Sequence, residues 1–178
     1  MRRGSTHRLS CNSSAVLLLW ATLFFAGCAQ WPEIPPSVST AQSNFGNRIA
    51  KLAESEVGTP YRYGGDTPAG FDCSGLAYYV YAQNGIDTPR TAEQQFDRLP
   101  HVTRDALQPG DLVFFRGEGG GQMHVGIYIG SDWFVHAPDS GKAVEGARLD
   151  NPYWRGRYLG AARPTASSSP RDGTPPDR

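Results

Sequence analysis

Cysteine is scarce in this sequence: three in 178 residues, at Cys11, Cys28 and Cys73. There is no CxxC pair and no cluster of Cys and His, so the sequence offers no zinc-type ligand set and no metal is expected. An excess of either charge is also missing, since 17 Lys and Arg stand against 17 Asp and Glu. Without a basic stripe, nucleic acid is a poor choice of partner. The longest apolar run falls short of the roughly 20 residues a comfortable membrane-spanning helix needs. No internal repeat is visible.

What the sequence does have begins with a leader. Arg2, Arg3 and Arg8 precede the apolar run AVLLLWATLFFA, residues 15–26, which Gly27 and Cys28 close. A basic start, a short apolar stretch and small residues at the end read as a secretory signal, with an uncleaved N-terminal anchor as the alternative. The tetrad FAGC resembles a bacterial lipobox, though Phe25 is less usual than leucine there. That resemblance implies removal of residues 1–27 and lipidation of Cys28, with membrane attachment through the lipid. Acyl chains contribute about 0.8 kcal/mol per buried CH₂, and two chains anchor stably where one does not. Ala29 rather than aspartate after the cysteine resembles outer-membrane sorting in Gram-negative lipoproteins. The expected location is therefore the cell envelope, on the outer membrane and facing the periplasm.

Composition then divides the rest. Residues 28–44 are rich in Pro, Ser and Gln and read as a flexible tether. Residues 164–178 hold almost no apolar side chains and are expected to be disordered. Between them, residues 45–163 suffice for one domain with one core.

With the leader removed and Cys28 acylated, Cys73 has no partner for a disulfide. It is either an inert core thiol or a nucleophile. The stretch SNFGNRIAKLAESEV, residues 43–57, has a helical apolar face and is stopped by Gly58 and Pro60. A Gly- and Pro-rich loop leads to Asp72, a natural cap for a helix with Leu76, Ala77, Val80 and Tyr81 on one face and Gly85 at its end. Cys73 then falls in the first turn. There the helix dipole favours thiolate over thiol, and free amides can donate to an oxyanion.

A nucleophile needs a base, and the second half of the domain offers one. It contains five strand-like runs: 111–116, 124–130, 133–137, 142–149 and 158–164. In HVGIYIG the alternation sets His124, Gly126 and Tyr128 against Val125, Ile127 and Ile129. A turn near Gly130 and Ser131 would pair this run with WFVHA. His124 and His136 are then expected directly opposite each other on one sheet face. One imidazole could take the thiol proton while the other orients it. Gly126 would make room for the helix that carries Cys73.

In order, the motifs TPYRYGG, GFDCSGLAYYVY, PRTAEQQ, PGDLVFF, HVGIYIG and FVHA resemble the NlpC/P60 cysteine peptidases over about residues 46–162. The resemblance implies a papain-like α+β fold, with helices packed against an antiparallel sheet of about five strands. It implies hydrolysis of amide bonds in the peptide stems of peptidoglycan, after D-glutamate in the stem or before D-alanine in the cross-link. It places Cys73 as nucleophile, His124 as base and His136 as the orienting residue. Tyr61 matches a family tyrosine near the nucleophile that serves the oxyanion or the substrate, although ordinary packing would also explain it. Asp72 and Ser74 match positions that in some relatives contact the substrate peptide, and Asp72 can be a helix cap as well. Arg90 is placed to meet a carboxylate of the stem, or is a solvated surface arginine. Ala92 stands where some relatives have serine. Thr91 and Gln94 also read as a capping box. No organic cofactor is implied, and a monomer is expected. The rival readings are an inactive wall-binding lipoprotein of the same fold and an acyltransferase using the same triad.

Overall fold

The computed structural model describes residues 38–165 apart from 118–120 and 140, with side chains from residue 43 onward. The leader at 1–27, the lipidation site Cys28, the tether up to residue 37 and the tail from residue 166 lie outside the described residues.

Helix α1 (Val38–Ser55) buries Ile49 and Ala53 completely, with Phe45 and Leu52 packed beside them, as the apolar spacing demands. It begins earlier than its sequence suggests, inside the expected tether and two residues past Pro36. Ser, Thr and Gln cost a helix only a few tenths of a kcal/mol each, so the polar stretch tolerates helix back to Val38. A loop follows, holding a small hairpin of β1 (Asp66–Thr67) and β2 (Gly70–Phe71).

Helix α2 (Cys73–Ala82) starts at Cys73 itself, with Asp72 as its cap. Its far end closes in a Schellman motif: Gly85 at φ 76° donates to Ala82 O, and Ile86 donates to Tyr81 O. The chain continues through α3 (Ala92–Arg98), β3 (His101–Val102) and a single 3₁₀ turn at Arg104–Ala106. Then come β4 (Leu112–Phe115), β5 (His124–Gly130), β6 (Trp133–His136), β7 (Glu145–Arg148), α4 (Pro152–Arg155) and β8 (Tyr158–Ala162).

One antiparallel sheet runs in the order β3-β8-β4-β5-β6-β7. The five expected runs are β4 to β8, and the sixth strand is β3, a two-residue pairing too short to show any alternation. One sheet face sends Leu112, Phe114, Val125, Ile127 and Val135 into the core beneath α1 and α2. The other carries Val113, Phe115, Phe134 and Leu149 under Trp154 and Tyr158. Each large side chain so buried contributes about 1.5–3 kcal/mol. The architecture is the expected α+β one, with helices packed against an antiparallel sheet.

A polar clasp holds the sheet to α2. Buried Asp111 accepts from Arg163 Nε at 2.7 Å and from its Nη2 at 2.8 Å, while the Tyr81 hydroxyl donates to Gly110 O. Pro164 is buried in the same corner, so ordered structure reaches just past the expected edge at residue 163.

Candidate active site

Three chemically active side chains stand at the ends of three elements. Cys73 is the first residue of α2, His124 the first of β5 and His136 the last of β6. Placement at element ends lets the two sheet faces meet at one cleft, because His124 and His136 point away from the face that α2 covers.

The start of α2 is tightly organised. Asp72 Oδ1 accepts from the Gly75 amide at 2.6 Å and from the Ser74 hydroxyl at 3.1 Å, which caps the helix. A Cβ at position 75 would overlap the Gly65 carbonyl, so only glycine admits the preceding loop this close. Arg90 grips the same carboxylate with Nη1 at 3.0 Å and Nη2 at 2.8 Å, and also reaches Ser74 Oγ at 3.1 Å and Gly65 O at 3.2 Å. Arg90 thus lines the cleft but spends its planar fork on Asp72. The carboxyl of Asp72 is half-buried, which on its own would raise its pKa. Hydrogen bonds from Arg90, Gly75 and Ser74, with the Arg90 charge, override burial and hold it below the ordinary value.

Two residues absent from the sequence reading brace this turn. The fully buried Gln95 donates to Ser74 O at 3.1 Å and to Pro89 O at 2.8 Å, tying α3 to the first turn of α2. Glu93 accepts from the Met123 amide at 3.0 Å, fixing the residue before His124. Only Thr91 and Gln94 were readable in this region, and Thr91 does accept from the Gln94 amide, at 3.3 Å.

The histidines meet, but in a different register from the one expected. Strand pairing runs Ile127 with Val135 and Tyr128 with Phe134, and then shifts so that Gly130 faces Trp133. The turn residues are Ser131 and Asp132, at φ 52° and 60°, and Ile129 is the extra residue of a bulge. The turn lies further along the chain than Gly130 and on its own would set Ile127 opposite His136; the bulge takes back one residue, so that Gly126 lies opposite His136 and both histidines fall on one face. The two imidazoles are diagonal neighbours on one face, with His124 Nε2 and His136 Nδ1 2.9 Å apart and ring planes at 90°. Gly126 also serves another purpose than the expected one. A Cβ there would overlap the ring of Phe134 and press on Val135 O, both from the neighbouring strand, not from α2.

Trp154 closes the pair from the far side. Its indole stacks on His124 at 5.5 Å and 26°, and meets His136 edge-on at 4.9 Å. Asn151 caps the short α4 by accepting from the Tyr153 amide at 2.9 Å, and Pro152 follows at the first helical position. The Asn-Pro pair was the available sequence signal for this helix.

Burial dominates the electrostatics. It lowers His124 to about 4, and lowers His136 to about 3 with help from the charges of His124 and Lys142. It pushes the Cys73 thiol up to about 11, against the amides of Val125, Ser74 and Cys73 itself, with the Asp72 charge adding to the rise. The lowered thiol pKa expected from the helix dipole is therefore not found. Desolvation exceeds what the half-charge of one helix end supplies. At neutral pH the resting pair is a thiol and a neutral imidazole.

A cleft of about 520 Å³ is lined by Cys73, His124, His136, Tyr61 and Trp154, and an adjoining pocket of about 340 Å³ by Cys73, Tyr61, Asp72, Ser74 and Arg90. Cys73 and Tyr61 border both, so the sulfur sits between two arms of one groove. Every sequence-read candidate of the domain lines this groove. Tyr61 is partly buried, and burial followed by the proximity of Cys73 and Asp72 raises its hydroxyl pKa. Val125, whose amide is the first of those that oppose the rise of the Cys73 pKa, is the residue after His124.

The profile described as the NlpC/P60 family matches residues 58–163. The chain belongs to the NlpC/P60 family. Among its relatives, the probable endopeptidase NlpC of Escherichia coli (strain K12) is 40% identical over 152 residues, covering 83% of this chain and 97% of that protein. The murein DD-endopeptidase MepH of the same organism is 44% identical over 114 residues, covering 61% of this chain and 42% of MepH. The chain thus spans less than half of MepH and nearly all of NlpC. A solved NlpC/P60 family protein from Bacillus cereus superposes with a TM-score of 0.62 at 34% identity, covering 66% of this chain and 39% of that one. The NlpC/p60 domain of the peptidoglycan hydrolase SagA gives 0.57 at 34% identity, covering 66% and 97%.

Proposed function

We propose that this NlpC/P60 protein is a cysteine endopeptidase that hydrolyses amide bonds in peptidoglycan stem peptides or cross-links through Cys73, His124 and His136. The peptidase class follows from the family and from relatives that carry the name endopeptidase. One observation carries the assignment of residues. Cys73, His124 and His136 border one open cleft, and His124 Nε2 lies 2.9 Å from His136 Nδ1.

In the proposed cycle, Nε2 of His124 is held by His136, which leaves Nδ1 as the nitrogen available to the thiol. As the sulfur attacks the scissile carbonyl carbon, its proton passes to Nδ1, so charge separates only when substrate has replaced water. The oxyanion takes the Cys73 amide and the Tyr61 hydroxyl as donors. The carbon–nitrogen bond then breaks and the imidazolium proton leaves with the amine. Water, giving a proton to His124, attacks the remaining thioester, and the carboxylic acid and the thiol are released. Asp72, Ser74 and Tyr61 form the wall that takes the peptide on the acyl side. Arg90 contributes by fixing Asp72.

The reading also places the protein as a monomer on the outer membrane, facing the periplasm through a lipid on Cys28. Mass spectrometry of muropeptides released from purified sacculi tests the activity. Wild type is expected to release cut stems and Cys73→Ala none, and release of the same fragments by Cys73→Ala overturns the nucleophile. His124→Ala is expected to abolish release, and His136→Ala to cost less. Loss of the chain from the membrane fraction in Cys28→Ala tests the anchor.

A further inference from the structure

The outer nitrogen of His136 is anomalous. His136 is 1% exposed, and its Nε2 has no hydrogen-bond partner among the described residues. A buried polar atom without a partner loses its water and gains nothing in return, so one left this way calls for a reason. Directly across the β6–β7 ladder stands Glu145, with Oε1 3.8 Å from that nitrogen. Glu145 lines the same cleft as His124 and Cys73, and is itself more than half exposed.

We propose that Glu145 is a positioning residue that sets the tautomer of both imidazoles and thereby leaves Nδ1 of His124 bare toward Cys73. The proposal rests on the reading of His124 as the base. One proton lies between His124 Nε2 and His136 Nδ1, and it can belong to either ring. If it belongs to His136, that ring turns a lone pair toward the Glu145 carboxylate, and His124 must carry its own proton on Nδ1. Such a ring cannot accept from a thiol. If it belongs to His124, then His136 carries its proton on Nε2, facing Glu145, and His124 Nδ1 is a free acceptor. A carboxylate at the end of the row favours the second arrangement, because it attracts an N–H and repels a lone pair. Closing a 3.8 Å gap to a hydrogen bond needs only a rotamer adjustment of an exposed side chain.

The groups that face His136 are His124 from β5, Glu145 from β7, Lys142 from the loop between β6 and β7, and the uncharged Trp154 from α4, while Asp139 of that loop lines the same cleft and acts on His124. Lys142 and Asp139 lie 3.5 Å apart and offset each other in part. Asp139 favours the charge that His124 acquires when it takes the thiol proton, while Glu145 is the carboxylate 3.8 Å from His136 Nε2.

The test compares the full chain with Glu145→Gln, which keeps size and position but removes the charge. Ring-nitrogen NMR of ¹⁵N-histidine protein is expected to show His136 protonated on Nε2 in the wild type and a mixture of tautomers in the variant. On purified sacculi, kcat is expected to fall about two- to fivefold, the scale of a half-exposed charge interaction, with KM unchanged. The acid limb of the pH profile is expected to move to lower pH, because losing a nearby negative charge makes the imidazolium harder to form. Identical His136 spectra, or an unchanged kcat and acid limb, overturn the proposal. Failure of both proteins to cut sacculi counts against the functional reading alone, and the spectra then decide the tautomer question by themselves.

Discussion

The indole of Trp154 lies almost parallel to the imidazole of His124, at 26° with centroids 5.5 Å apart. This contact helps exclude water from the ring whose pKa burial lowers to about 4. The neutral imidazole is the form that accepts a proton, so activity is expected to hold down through pH 5 and to fall as pH drops through about 4. Trp154→Ala readmits water and moves that limb upward, toward the ordinary histidine value of about 6.5. Initial rates on sacculi across pH 3.5–8 check this, and an acid limb common to both proteins rejects it.

Stability is expected to depend on pH through the same rings. His124 and His136 have folded pKa values near 4 and 3, below the unfolded value of 6.5. Between those values the unfolded chain binds more protons, so lowering the pH favours unfolding. Their contribution is complete above about pH 6.5 and declines by up to about 1.4 kcal/mol per pH unit for each ring. Urea midpoints at pH 7, 5.5 and 4.5 are expected to fall in that order. Removing both rings, in His124→Phe with His136→Phe, is expected to flatten the series.

Arg90→Met removes the fork from Asp72 and leaves a half-buried carboxylate with only Gly75 and Ser74 as donors. The expected loss is about 1–2 kcal/mol, less than for a fully buried pair because a third of the Arg90 side chain meets water. The carboxyl pKa of Asp72 rises with it. Thermal melts report the first effect, and ¹³C NMR titration of the aspartates the second.

Gly126→Ala puts a methyl group against the Phe134 ring, which stacks on His136 at 5.2 Å. Overpacking at such a site costs about 1–3 kcal/mol. The displaced ring carries His136 with it, so activity is expected to fall further than the melting temperature alone would explain. Gly146→Ala, whose added carbon would make ordinary contact with Trp133, is the matched control on β7.

Features set by short-range chemistry were legible in the sequence. Asp72 before Cys73, Gly85 at the end of α2 and the alternation of HVGIYIG each act within a few residues, and each took its expected place. What escaped was set at long range. The turn at Ser131 and Asp132 displaced the histidines from direct opposition, and the bulge at Ile129, which depends on how that turn matches the twist of two strands, returned them to one face. The partner of Arg90 is an aspartate 18 positions earlier in the chain, brought close only by the packing of α2. The thiol was misjudged for the same reason. A helix dipole can be read from one segment, whereas the burial that outweighs it comes from β5 and the loops around it.

His124 opens β5, and α2, which begins at Cys73, packs on that same strand, so one strand registers the sulfur against the imidazole. A polypeptide whose β5 has not yet seated against α2 therefore holds its thiol and its imidazole apart. Competence is built into assembly: the two reactive groups come together only once folding is complete.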